Sequence, residues 1–294
     1  MSQRDQRVPY DEALARLNQF QHLSSVLDAA WLERQYRLTV ERYTLFTGWL
    51  STSDFDWTYT YKRYVASLDS AIAVLQAAVS ANLWSKLRSK IRTKSTREES
   101  KGTLAELSLA VFLVQNGIDF DMEQRLNSAS KKDVDFRLNF PGAMPVHIEM
   151  QWLSDSEASE RAALVSAQYR VPMRIDFESA KQRVRNKVLD KVPKLTTHEI
   201  ILVALKCRLL PELGGASPYT SISDALALIF GTDISGPLTE PTSAIRDMVD
   251  GVIWFETDFD IVFTPVKRGS ILNEHSLYRN DVSLIAWLQM WSAD

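Results

Sequence analysis

Cysteine is nearly absent: Cys207 is the only one in 294 residues. An internal disulfide is therefore excluded, and a reducing compartment fits. Cys207 follows an apolar run, so it reads as core and not as a nucleophile. No apolar stretch reaches the ~20 residues that a membrane-spanning helix requires. The first residues, with Arg4, Asp5 and Arg7, lack the apolar centre of a signal peptide. These features set the expectation of a cytoplasmic protein with no membrane partner. An internal repeat, a low-complexity tract and cysteine–histidine metal spacing are missing as well. Gly214-Gly215 lies in a loop with no Walker pattern and no following lysine, so no nucleotide cradle is expected.

A large charge of either sign is also lacking. The net charge of −3 does not mark a nucleic-acid binder, although a local basic patch is sufficient for one. Hydrophobic content of 45% and charged content of 24% are ordinary for a folded protein. The length suits one large domain or two modest ones.

Two alternating stretches stand out against this background. In Asp133-Val134-Asp135-Phe136, continuing to Leu138 and Phe140, apolar side chains point one way and Asp133 and Asp135 the other. In Val146-His147-Ile148-Glu149-Met150-Gln151-Trp152 the same alternation sets His147, Glu149 and Gln151 on one face. Period-two alternation is the mark of a strand with two unlike faces. Pro141-Gly142 and Pro145 suit a hairpin connection. Pairing of the strands would bring Asp135 and Glu149 onto one surface, a hard-oxygen site for a cation such as Mg²⁺. Asp133 shares that face but reads as a solvent-facing carboxylate. His147 reads as a hydrogen-bonded strand residue.

Around these strands, residues 8 to about 95 read as helical. Pro9 and Asp11-Glu12 suit a helix start. A second helix is expected from Trp31 to Trp49, a turn-rich break from Ser51 to Asp56, and a third helix from Tyr59 to Ile91. Aromatics are dense here, among them Trp31, Phe46, Trp49, Phe55, Trp57, Tyr59 and Tyr64. Helix packing or a dimer surface is their ordinary use, and base stacking the alternative. Lys86, Arg88, Lys90, Arg92, Lys94, Arg97 and Lys101 form the most basic run. They read either as phosphate contacts or as a solvated helix end. Thr103 to Val114 carries the single charge Glu106 and ends at Asn116-Gly117, a helix stop. Ile118-Asp119-Phe120 opens a strand expected beside the one holding Asp135.

Further on, residues 154 to 173 read in part as a loop near the site, and Arg174 to Leu195 as a helix. Gln182 and Asn186 share one face of that helix, and Lys187 and Lys191 are its candidate cations. Glu199 to Lys206 suits a strand buried on both faces. A short helix, Asp224 to Phe230, follows. Val252 to Phe255 and Ile261 to Thr264 read as a hairpin, and Asp281 to Trp291 as a closing helix.

This order, with Asp135, Glu149 and Gln151 on neighbouring strands, resembles the PD-(D/E)XK nuclease superfamily. The resemblance covers about residues 100 to 206. Val134 stands where the pattern has Pro, and Gln151 where it usually has Lys. What the resemblance implies is an α/β fold: a restriction-endonuclease-like mixed sheet flanked by helices in 99–294, after an all-helical region in 1–98. It also implies a Mg²⁺- or Mn²⁺-dependent nuclease acting on nucleic acid, DNA before RNA. Asp135, Glu149 and the backbone carbonyl of Met150 would hold the metal. Gln151 would orient water, and Glu106, on the preceding helix, would complete the site. The helical region would serve dimerisation or substrate contact. The alternative is the same fold with catalysis lost, working as a binding or assembly module.

Overall fold

The computed structural model describes residues 7–38, 44–93, 97–125, 133–140, 143–153, 200–208, 249–257, 265–274 and 276–292. The chain forms two compact units: Met1–Asp119 with Thr257–Pro265, and Phe120–Glu256 with Val266–Asp294.

The first unit is built of helices: α1 (Tyr10–Leu17), α2 (Gln21–Val26), α3 (Ala29–Tyr36), α4 (Leu45–Leu50), the short turn α5 (Asp54–Asp56), α6 (Lys62–Ala78), α7 (Ala81–Thr93) and α8 (Arg97–Gln115). A π-helical segment, Trp57–Tyr61, joins α5 to α6. Two expected helices are divided. The helix expected from Trp31 to Trp49 ends at Tyr36, and α4 begins afresh at Leu45 behind Thr44, whose hydroxyl accepts the Thr47 amide. The helix expected from Tyr59 to Ile91 breaks at Val79, which is extended. Ser80 restarts it by accepting the Leu83 amide. In both cases a hydroxyl side chain satisfies an orphan N–H at a helix start, a local effect that apolar periodicity does not register.

Buried aromatics hold this unit together. Trp31, Phe46, Trp49, Trp57 and Tyr64 are all buried. Phe20 meets Trp57, and Phe46 meets Trp49, edge to face. These rings serve packing, whereas Phe55 and Tyr59 stand exposed. Arg16 is the polar centre. Its guanidinium donates to the carbonyls of Leu50 (3.1 Å) and Thr52 (2.7 Å) and to Asp54 (2.7 Å), pairs with Glu12, and lies over the Trp57 ring. One buried cation thus ties α1 to the C-terminal end of α4 and to α5.

Helix α8 ends as expected. Gly117 takes φ of +66°, its amide bonds to Val114, and the Ile118 amide reaches back to Leu113. This is a Schellman stop, in which glycine takes the left-handed position without a Cβ clash.

In the second unit, six strands form one sheet in the order β1 (Asp119–Arg125), β2 (Asp133–Asn139), β3 (Val146–Leu153), β4 (Ile200–Arg208), β5 (Gly251–Thr257) and β6 (Pro265–Leu272). The sheet is mixed: β2 and β3 are antiparallel, and β3 and β4 are parallel. The chain is therefore α/β. The first strand lies beside the one holding Asp135, as expected. Parallel β3 and β4 require a crossover connection. The expected loop of 154–173, the helix Arg174–Leu195, the helix Asp224–Phe230 and the strand Ile261–Thr264 lie outside the described residues.

β4 is buried throughout Ile200–Lys206, as its unbroken apolar run suggests. The β6 strand was not expected, and it carries Pro265, Lys267, Arg268 and Gly269. Gly269 has a packing reason: a Cβ there would collide with the Trp254 indole of β5. Gly251 likewise packs close to the Ile271 carbonyl, so β5 and β6 run in opposite directions. The helix Val282–Ser292 closes the unit as expected, burying Leu284, Leu288 and Trp291. Asp281 accepts the Leu284 amide at its start (2.8 Å).

Candidate functional site

Phe136 is the Cα partner of Ile148, Arg137 of His147, and Leu138 of Val146. Asp135 precedes Phe136, and Glu149 follows Ile148. Because the strands are antiparallel, both carboxylates lie next to that pair, in the same direction along the sheet. Burial follows the alternation except at His147, which is buried as well. Val134, Phe136, Leu138, Val146, Ile148 and Met150 are buried, while Asp135, Arg137 and Glu149 are half-buried. The two carboxylates thus share one sheet face, with Arg137 and His147 beyond them on that face.

Asp135 is held in place. Its Oδ2 accepts the backbone N–H of Met150 at 2.7 Å. The bond crosses from β2 to β3 and fixes the carboxylate against the strand that carries Glu149. A charged acceptor on an amide is a strong hydrogen bond, roughly twice a neutral one.

Parallel pairing sets Glu149 beside Val203 and Gln151 beside Leu205. The apolar flank of the site is therefore β4. Lys206 belongs to the other face, as the Cα partner of Trp152, and is fully buried. Gln151 keeps its place in the strand two residues after Glu149. Among the described residues, no group of three or more His, Cys, Asp or Glu side chains comes together. Asp135 and Glu149 offer hard oxygen donors of the kind that a divalent cation takes.

Glu106 belongs to the helical unit, on α8. Its carboxylate meets Lys90 of α7 at 2.6 Å, both side chains being nearly buried. This pairing accounts for a lone charge in an apolar helix. The basic run is engaged in the same way. Arg88 donates to the Ser25 carbonyl, and Arg92 donates to Asp28 at 2.9 Å and to the Val26 carbonyl. The Arg92 guanidinium, and then the Trp31 amide, hold the Asp28 carboxyl below its usual value. Lys90 and Arg92 thus spend their charges on joining helices.

Two features of the sheet unit escaped the sequence reading. Arg137 lies on the Asp135 face, and the alternation that placed Asp135 places it as well. Asp250, just before β5, accepts the Ile201 amide (2.8 Å) and the Ser276 hydroxyl (2.5 Å). Its own amide donates to the Ile201 carbonyl, and its carbonyl accepts the Asn273 amide. Burial pushes the Asp250 carboxyl above its usual value. No sequence pattern marks this role, because it depends on strands far apart in the chain.

Among the described residues, no helix is long and apolar enough to cross a membrane. No family model, no curated protein and no solved structure matches the chain.

Proposed function

We propose that the chain is a divalent-cation-dependent nuclease of the PD-(D/E)XK type, hydrolysing phosphodiester bonds of DNA. The observation that carries this reading is the placement of Asp135 and Glu149 beside one cross-strand pair, on one face, with Asp135 anchored by Met150. The mixed sheet agrees with the restriction-endonuclease-like arrangement, since β2 and β3 form an antiparallel pair and β4 follows in parallel.

In this reading Asp135 and Glu149 would hold Mg²⁺ or Mn²⁺ with the Met150 carbonyl. When bound, such an ion polarises a phosphoryl oxygen and acidifies a coordinated water. The chain's own part is positional. The Met150 amide restricts Asp135 to one orientation, so little freedom is lost when a ligand arrives. Glu149 supplies the second negative charge. Gln151 orients water as a neutral amide. DNA is the partner, a homodimer through the helical unit belongs to the same proposal, and the compartment is the cytoplasm.

One observation favours a second reading, a binding or assembly module on the same fold. Gln151 is neutral where the family pattern usually carries lysine. The test is a cleavage assay on single- and double-stranded DNA and RNA with Mg²⁺ or Mn²⁺. Cleavage lost in both Asp135→Ala and Glu149→Ala, with unchanged circular dichroism, supports the nuclease. Cleavage that survives both substitutions excludes this site, and wild-type protein that binds DNA without cutting it favours the module.

A further inference from the structure

Gln151 leaves the proposed site without the cation of the family pattern, yet the sheet face that bears Asp135 and Glu149 has one. Arg137 is two residues from Asp135 on β2, about 6.7 Å along the strand and on the same face. It is the Cα partner of His147, which is two residues from Glu149 on β3. Arg137 is therefore the diagonal neighbour of Glu149, within reach of a long side chain. The surrounding strand positions alternate between buried Phe136 and Leu138 and half-buried Asp135 and Arg137. The Arg137 Nε is itself buried and has no hydrogen-bond partner among the described residues. A buried donor left unmatched is costly, and a ligand that matched it would remove that cost.

We propose that Arg137 is the cation of this site and contacts the phosphodiester of the substrate in place of a lysine at position 151. The inference rests on the nuclease reading above. A guanidinium suits the role, because it stays charged at every working pH and its donors match phosphate oxygens in pairs. Arg137 then stabilises negative charge at the phosphoryl group, while Asp135 and Glu149 serve the metal.

The experiment combines cleavage with calorimetric titration of Mn²⁺ in the full chain. Arg137→Ala is expected to lower kcat about a hundredfold, the scale of losing one preorganised donor to a developing charge. Gln151→Lys in the Arg137→Ala background is expected to recover at least about tenfold of that loss, since the cation returns to the same face. The Mn²⁺ titration should move in the opposite direction. Removing a nearby positive charge tightens Mn²⁺ binding severalfold in Arg137→Ala and leaves Arg137→Lys near wild type. Wild-type turnover in Arg137→Ala, or a loss that Gln151→Lys does not relieve, overturns the proposal. So does unchanged Mn²⁺ affinity in Arg137→Ala, even if the wild-type protein cuts no substrate and the nuclease reading falls.

Discussion

The Met150 amide donates to Oδ2 of Asp135 across the β2–β3 pair at 2.7 Å. One side chain thus both stitches two strands and faces the candidate metal centre. The roles separate by substitution. Asp135→Asn keeps an acceptor for the Met150 amide and is expected to lose Mn²⁺ binding at a stability cost below about 1 kcal/mol. Asp135→Ala strands the amide and is expected to cost about 1–3 kcal/mol. Urea unfolding of the two variants checks this, and equal stabilities would show that the bond contributes nothing.

Lys90 and Glu106 form a nearly buried pair between α7 and α8. Removing either partner alone leaves a charge poorly solvated. Glu106→Ala and Lys90→Ala are each expected to destabilise by about 2–4 kcal/mol, and the double variant by less than their sum. A double-mutant cycle in urea reads the coupling. Strict additivity would mean that the two side chains do not depend on one another.

Arg16 joins α1 to the C-terminal end of α4 and to α5 through carbonyls, carboxylates and the Trp57 ring. Its carboxylate partners are partly solvated, so the main loss on truncation is the charged donor to two carbonyls. Arg16→Ala is expected to cost about 2–3 kcal/mol. Arg16→Lys is expected to recover only part of that, because an ammonium cannot span the same fork. Thermal unfolding of both variants checks the order, and a fully competent lysine would contradict the geometry.

Asp250 gives a dependence on pH with a definite sign. Its folded value is raised, chiefly by burial, from an ordinary 3.8. The folded state therefore holds the proton more tightly than the unfolded chain. The stability this contributes is full below the ordinary value and is lost as pH rises through the raised one. Asp250→Asn has no such titration, so its stability relative to wild type should climb as pH rises above the ordinary value of 3.8. Urea unfolding across that range measures the difference. A constant difference would mean that the carboxyl titrates alike in both states.

Much of the sheet was legible in the sequence, for a physical reason. β2 and β3 each have one buried and one partly solvated face, and such strands write their orientation into alternate residues. That alternation placed Asp135 and Glu149 together before any coordinates. β4 has both faces buried and appears as an unbroken apolar run. β6 was missed because its glycine serves the Trp254 ring of the neighbouring strand β5, a demand set by a distant residue. The helix breaks at Tyr36 and Val79 were missed because capping by Thr44 and Ser80 is local and polar. Glu106 stood out as a lone charge, but its partner Lys90 lies on another helix. The alternation that sets Asp135 on its face of β2 sets Arg137 there as well.

The account turns on Asp135 and Glu149 acting together on one ion. Calorimetric titration of Mn²⁺ into wild-type protein, Asp135→Ala and Glu149→Ala tests this most directly. One site in the wild type, lost in both variants while the folded circular dichroism spectrum persists, is the expected result. Equal Mn²⁺ binding in all three proteins would contradict it.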